Sequence, residues 1–243
     1  MGDVTVWGMI DAQAISFPLE VEAFNEAVLM YSVPLAVAQR LMPGDAFELV
    51  EIAPGSAQLV IAALDYRKNP WGDYNEIDIA FLARPAGGPV DETGGFVLFS
   101  PVNDRFGCEV GHRAVGLPMT MGEIEATYTA DRVAFSLVMD GEPALALRVP
   151  RANADATPVR IHTRGYTYIG GEPCVTVFDM DLPGGAVTDL AAVELELGRG
   201  AIADTLRTLG LPKEPDYCAW GERLWAGYQR AQPLPTRQPA TDG

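Results

Sequence analysis

Short apolar or alternating runs, punctuated by glycine and proline, dominate the hydrophobic pattern of this chain. Strands are expected at Ala27–Tyr31, Phe47–Ile52, Ala57–Leu64, Glu76–Leu82 and Phe96–Phe99. Further strands are expected at Glu123–Tyr128, Val133–Met139, Ala144–Val149, Val159–Thr163, Cys174–Asp179 and Ala192–Leu197. Most are rich in Val, Ile, Phe or Leu and bounded by turn residues. The segments Thr129-Ala130-Asp131-Arg132 and Asp140-Gly141 fall where hairpin connections belong, so 123–149 is expected to form an antiparallel meander. Many short strands at this spacing predict a sandwich or barrel, not a βαβ fold.

Helical signals are sparse. Pro34 can open a helix over 34–41 and Pro43 can stop it. Asn103 or Asp104 can cap a short helix over Arg105–Val110. Residues 200–208 form a third candidate, ended by Gly210 and Pro212, and Trp220–Arg230 a fourth. Residues 231–243 have no apolar pattern and are expected to be a disordered tail behind a single domain of residues 1–230.

Composition narrows the function classes. With 48% hydrophobic and 21% charged residues over 243 positions, the chain can bury a sizeable core. Its net charge of −16 repels phosphate backbones and anionic lipid heads, so nucleic-acid and membrane-surface roles are not expected. No basic n-region precedes an apolar stretch at the start, and no apolar run is long enough to span a bilayer. Cys108, Cys174 and Cys218 are odd in number and lack metal-ligand spacing, which argues against a disulfide framework or a zinc site. A reducing, cytoplasmic setting is expected. Of the 17 basic residues only Lys68 and Lys213 are lysines, so lysine chemistry has two possible addresses.

Familiar catalytic signatures are missing. There is no Gly-x-Ser-x-Gly, HExxH, P-loop or strand–GxGxxG–helix unit. Asp179 and Asp181 share one side of an extended chain and could ligate a metal, but a solvated strand end explains them more simply. No cofactor or metal is therefore expected. Two segments carry more promise. In PWGDYNEI (70–77), Tyr74 and Glu76 have the same parity, and a glutamate facing an apolar interior would have a raised pKa suited to acid–base work. In FGCEVGHRAVGLPMTMGE (106–123), His112 and Arg113 precede a turn whose members Leu117, Met119 and Met121 are apolar and whose hydroxyl is Thr120. That turn either plugs the core or lines a pocket. Plainer accounts stand beside each: an exposed edge Glu76, a surface Arg113, a structural His112.

Taken in order, these segments resemble the acetoacetate decarboxylase family. The likeness rests on MYSVPLAVAQRLMPGD (30–45), GDYNEI (72–77), VGHRAVGLPMTMGE (110–123), GGEP (170–173) and ELGRGAIADTLRTLGL (196–211). The resemblance implies a mainly β (α+β) fold, an antiparallel β-barrel or cone with a few short helices, assembled as a homo-oligomer around a small-molecule pocket. It aligns the family's reactive lysine pair with Met119 and Thr120, neither of which can form a Schiff base. Glu76 matches the family's pocket glutamate. Where relatives carry Arg then an acid, this chain has His112 then Arg113, and no Lys or Arg occurs between Met1 and Val33. The expectation is an enzyme acting on a small carbonyl-containing or keto-acid-like molecule without imine chemistry, of lyase, isomerase, dehydratase or cyclase type. Glu76 would be the acid/base, Arg113 would hold a carboxylate or enolate, and Thr120 would donate a hydrogen bond. Tyr74, His112, Leu117, Met119 and Met121 would line the pocket. A binding protein without catalysis, and a decarboxylase using another residue, are the alternatives.

Overall fold

The computed structural model describes residues 4–151 and 153–235. Seven long strands, β1 to β7 in chain order, dominate it: Leu19–Pro34, Ser56–Lys68, Asn75–Pro85, Gly94–Val102, Val159–Ile169, Glu172–Leu182 and Tyr217–Tyr228. Each pairs with the next, and β7 pairs with both β1 and β6, so the sheet closes on itself as a barrel. All neighbours are antiparallel except β4 and β5, which run parallel through Gly95↔Gly165 and Phe96↔Tyr166. Closure removes most of the exposed edge that an open sheet would present.

After a short helix α1 (Leu35–Ala38) behind β1, the long connection from β4 to β5 holds α2 (Arg105–Val110) and three of the four strands of a second sheet, the fourth coming from the β6–β7 connection. This sheet orders Glu123–Tyr128, Arg132–Met139, Glu142–Pro150 and Glu194–Leu197, all antiparallel. Its first three strands are the expected meander, and Asp140 and Gly141 both take positive φ in the tight turn between two of them. The principal apolar core lies between this sheet and the outer wall of the barrel. From the barrel come Leu29, Tyr31, Leu59, Ile61, Ile79 and Phe81, and from the sheet Val133, Phe135, Leu137, Leu145, Leu147 and Val149. Helix α3 (Ala201–Thr208) adds Ile202 and Leu206 to the same core.

This arrangement explains the near-continuous apolar runs of β1 to β3. Their odd-numbered residues face the core, while their even-numbered ones face the barrel interior, so both faces are apolar. Register ties the inward positions together: Glu26 sits opposite Leu64, and Leu64 opposite Glu76.

Three expectations need correction. Trp220–Arg230 is not a helix; the segment belongs to β7. Register shifts between Gly221 and Leu224 and again before Ala226, with Arg223 at φ +57°, break the two-residue alternation that marks a strand. The four-residue spacing of Trp220 and Leu224 then imitates a helical face. The tail does not lose order at residue 231: Gln232 and Pro233 pair with Val175 and Cys174, and Leu234 N–H donates to the Pro173 carbonyl at 2.8 Å. Residues 236–243 of that expected tail lie outside the described residues. The 34–41 helix is shorter than its pattern, an α-turn Leu35–Ala38 running into a tighter turn Gln39–Leu41, because β1 extends to Pro34. An N-terminal hairpin, Thr5–Ile10 with Gln13–Phe17, was not legible, and it sets Ile10, Ile15 and Phe17 against α2 and the start of β1. No helix among the described residues is long and apolar enough to cross a membrane.

Trp220 joins the two layers. It is fully buried, packs edge-on to Tyr128 at 6.0 Å and lies 6.4 Å from the Phe135 ring, and its indole N–H donates to Glu222 Oε1 at 3.0 Å. Arg151, at the end of a strand of the second sheet, grips the same Glu222 oxygen. Trp220→Ala is expected to cost about 3–5 kcal/mol in urea unfolding, the usual range for emptying a large aromatic site in a core.

Candidate functional site

Because the main core lies outside the barrel, the barrel interior is left partly hollow. A cavity of about 290 Å³ occupies it, walled by inward residues such as Val28, Ala62, Ala80, Val97, Phe178 and Met180. Into these apolar walls project three carboxyl groups: Glu26 from β1, and Glu76 and Asp78 from β3. Glu76 and Asp78 alternate along one strand and so share a face.

Glu76 is 1% exposed and accepts a hydrogen bond from Ser100 Oγ at 3.3 Å. Its other oxygen, with Glu26 Oε2 and Asp78 Oδ1, is buried without a donor. Buried carboxylates without donors are costly, and the inexpensive remedy is to hold a proton. Burial raises the Glu76 carboxyl well above the ordinary range, and the charge of Asp78 and its hydrogen bond to Glu76 push it further. Burial likewise raises Glu26 to about 8, with Asp78 adding repulsion. Asp78 is raised to about 6, again by burial, with hydrogen bonds from Ser100 and Glu76 opposing the shift. Of the two carboxyls with the smaller shifts, Asp78 gives up its proton before Glu26 as pH rises.

One end of the chamber is closed by aromatic rings. Tyr66 and Tyr74 lie at a tilt with ring centroids 4.6 Å apart, and the Tyr66 and Tyr228 hydroxyls meet at 3.2 Å. Leu117 lines the cavity beside them. Behind Tyr66, Leu117 and Tyr228 lies a smaller apolar recess that Met119 and Tyr74 also line.

The turn 116–123 is built by local geometry. Asp104 caps α2 by accepting from Gly107 N–H at 2.6 Å. The helix then widens to a π-type turn over Gly111–Val115, where the Gly116 and Leu117 N–H groups both donate to the Gly111 carbonyl. Gly116 takes φ +79°, ending the turn in the left-handed conformation that glycine adopts without strain. Met119–Met121 then lies parallel to β4, with Met119 beside Ser100. A Cβ at Gly111 would come within 1.9 Å of Met119 Sδ, so the glycine makes room for the thioether.

Sequence-expected site residues thus divide. Glu76 and Leu117 line the cavity, and Tyr74 and Met119 line the recess next to it. His112, Arg113, Thr120 and Met121 are exposed and line neither chamber. The π-type turn leaves His112 and Arg113 exposed and buries Ala114 and Val115, so Arg113 does not line the barrel cavity. Strand alternation buries Met119 and leaves Thr120 facing away. Two inward acids, Glu26 and Asp78, were not singled out. Asp78 had a signal, since N-E-I-D-I-A alternates two acids with isoleucines; Glu26 follows Asn25 just before the apolar run Ala27–Tyr31 and reads as its polar flank. Asp179 pairs with His162 and Asp181 with Arg160, so both are engaged at the barrel surface.

Both lysines lie outside the chamber. The Lys68 ammonium is 4.0 Å from Glu22 and largely exposed, and Lys213 donates to the Ser32 carbonyl at 2.5 Å. Arg164 borders the cavity, but its guanidinium donates to the Asp91 carbonyl at 2.9 Å.

Residues 13–169 match the family model of acetoacetate decarboxylase (ADC). The chain belongs to that family. Its fold is similar to acetoacetate decarboxylase from Legionella pneumophila, at 16% identity and TM-score 0.63 over 90% of this chain and 87% of the other. It is also similar to an acetoacetate decarboxylase-like enzyme from Sphingomonas wittichii RW1, at 13% identity and TM-score 0.58 over 94% and 98% of the two chains. The enduracididine biosynthesis enzyme MppR is similar at 16% identity and TM-score 0.53 over 89% and 88%. No curated protein sequence matches the chain.

The raised carboxyls have a thermodynamic signature. Glu26 binds its proton more tightly folded, near 8, than at its ordinary value of 4.5. Its contribution to stability is complete below the unfolded pKa and is lost as pH rises toward 8. Glu26→Gln is therefore expected to gain stability relative to the parent as pH rises from 4.5 to 8, by up to about 1.4 kcal/mol per pH unit. Urea unfolding midpoints across that range measure it, and a pH-independent difference would contradict the assignment.

Proposed function

We propose that this protein is an acetoacetate decarboxylase-family enzyme that moves protons on a small carbonyl compound through its carboxyl groups, with no imine intermediate. One observation carries the proposal: the cavity is furnished with Glu76, Asp78 and Glu26 while both lysines stand on the surface. An imine needs a primary amine at the substrate carbonyl, and Met119, at the position the family likeness gives to lysine, has only a thioether.

The two carboxyls of β3 are suited to complementary tasks. Opposed pKa values on neighbouring acids are how one site supplies an acid and a base together. Neutral Glu76 donates its proton to the carbonyl oxygen as the ionised Asp78 removes a proton from the adjacent carbon. The products are an enol, a Glu76 carboxylate and a protonated Asp78. Return of a proton to carbon at the same or another position completes exchange or isomerisation; in elimination the β-substituent leaves with its bonding electron pair and the Asp78 proton, while the enol O–H proton returns to Glu76 as the carbonyl re-forms. The charge of the chamber favours neutral carbonyl compounds over keto-acid anions, because a carboxylate would meet Asp78 without a free cation beside it.

Deuterium exchange at the α-carbon of butan-2-one, followed by proton NMR in heavy water, tests the proton-transfer step. Glu76→Gln and Asp78→Asn are each expected to lower the protein-catalysed rate by 100-fold or more, within the range for removing a general acid or base. In the parent the rate should climb as pH rises through about 6, where Asp78 ionises. Binding of the ketone without exchange at any pH would make the protein a binder. Borohydride reduction in the presence of acetoacetate is expected to leave the protein mass unchanged. An adduct on Lys68 or Lys213 would overturn the imine-free mechanism.

A further inference from the structure

The barrel does not close evenly. Strands β6 and β7 pair only through Phe178↔Tyr228, Asp179↔Gly227 and Met180↔Ala226. Past Met180 the two strands diverge, β6 ending at Leu182 while β7 pairs instead with the short strand Gly185–Ala186. A second chamber of about 370 Å³ occupies this seam, bounded by Val159, Pro183, Tyr217 and Ala219. It shares Val28, Met30 and Leu182 with the acid-bearing cavity, so the same three side chains wall both spaces. Register explains the shared wall: Ala219 lies opposite Val28 and Tyr217 opposite Met30, all on the inward face of β7 and β1.

The two chambers differ in chemistry. The first gathers all three carboxyls, whereas no charged residue lines the second. Inward positions that could have filled the seam with larger side chains hold Val28 and Ala219 instead. A space of this kind gains little by holding water, since it offers few polar partners. Apolar ligand surface is what it would stabilise.

We propose that the substrate is a neutral carbonyl compound with an extended apolar tail. Its carbonyl head reaches Glu76 and Asp78, and its tail passes Val28, Met30 and Leu182 into the seam chamber. The proposal rests on the carboxyl-based function above for its head group and adds the tail from the seam alone.

Calorimetric titration of the parent with straight-chain methyl ketones, from butan-2-one to nonan-2-one, measures the tail. Affinity is expected to rise about three- to fourfold for each methylene, the gain for burying one such group. Leu182→Trp, at the junction, is expected to flatten that rise to less than 1.5-fold per methylene. Val159→Trp narrows the chamber from a position that is already 57% exposed, so it keeps the test available should Leu182→Trp fail to fold. An affinity that does not change with chain length in the parent, a rise untouched by either folded variant, or no binding of any ketone would overturn the proposal. Deuterium exchange in the same samples separates the two ideas. Exchange with flat chain-length dependence sinks the tail and leaves the chemistry standing. Chain-length dependence without exchange sinks the chemistry and leaves the tail.

Discussion

The packing of the barrel's outer wall against the four-stranded sheet is the interaction on which the rest of this structure depends. Strands β1, β2 and β3 turn one face outward, and Leu29, Tyr31, Leu59, Ile61, Ile79 and Phe81 find their partners in the second sheet and not across the barrel. Most small barrels fill their interior with side chains to gain stability. Here that burial is achieved on the outside, and the interior is free to be a chamber. Trp220 and the Arg151–Glu222 pair fasten the layers where β7 passes beneath the sheet.

A hollow interior changes the behaviour of any polar group placed in it. In water Glu26, Glu76 and Asp78 would be ordinary acids. Inside, among valines, alanines and phenylalanine, they lose water and gain one another's repulsion, and their protons become harder to remove. The single favourable side-chain donor to Glu76 from β4, Ser100, is held one strand away from Met119, so the turn of residues 116–123 and the acids of β3 form one continuous wall. Proton transfer between carboxyls is the chemistry we propose for this set of groups. The seam between β6 and β7 holds a second chamber against the same wall, with no charged residue lining it.

Much of this was written in local pattern. The strand runs, the hairpin at Asp140-Gly141, the cap at Asp104 and the third helix are decided by neighbours within a few residues, through pleat alternation, positive-φ glycine turns and hydrogen bonds to helix N–H groups. Glu76 was legible for the same reason, being an acid in phase with Tyr74 at the start of an apolar strand. β7 was not, because its bulges around Arg223 depend on how it bends between β1 and β6. Arg113 and Thr120 looked like pocket residues by proximity in sequence, but the rotation of a widened helical turn and the two-residue alternation of a strand point them to solvent.

Sequence alone determined the element types over most of the chain, the absence of lysine from every position but 68 and 213, and the presence of an acid at 76. Tertiary structure alone decided that Glu26, fifty residues upstream, joins Glu76 and Asp78, because only strand pairing through Leu64 brings β1 and β3 into one wall. It also decided which face of each strand became the core and which the chamber. Both faces of β1 to β3 are apolar in sequence, and no local rule distinguishes them; the second sheet makes the choice by covering one.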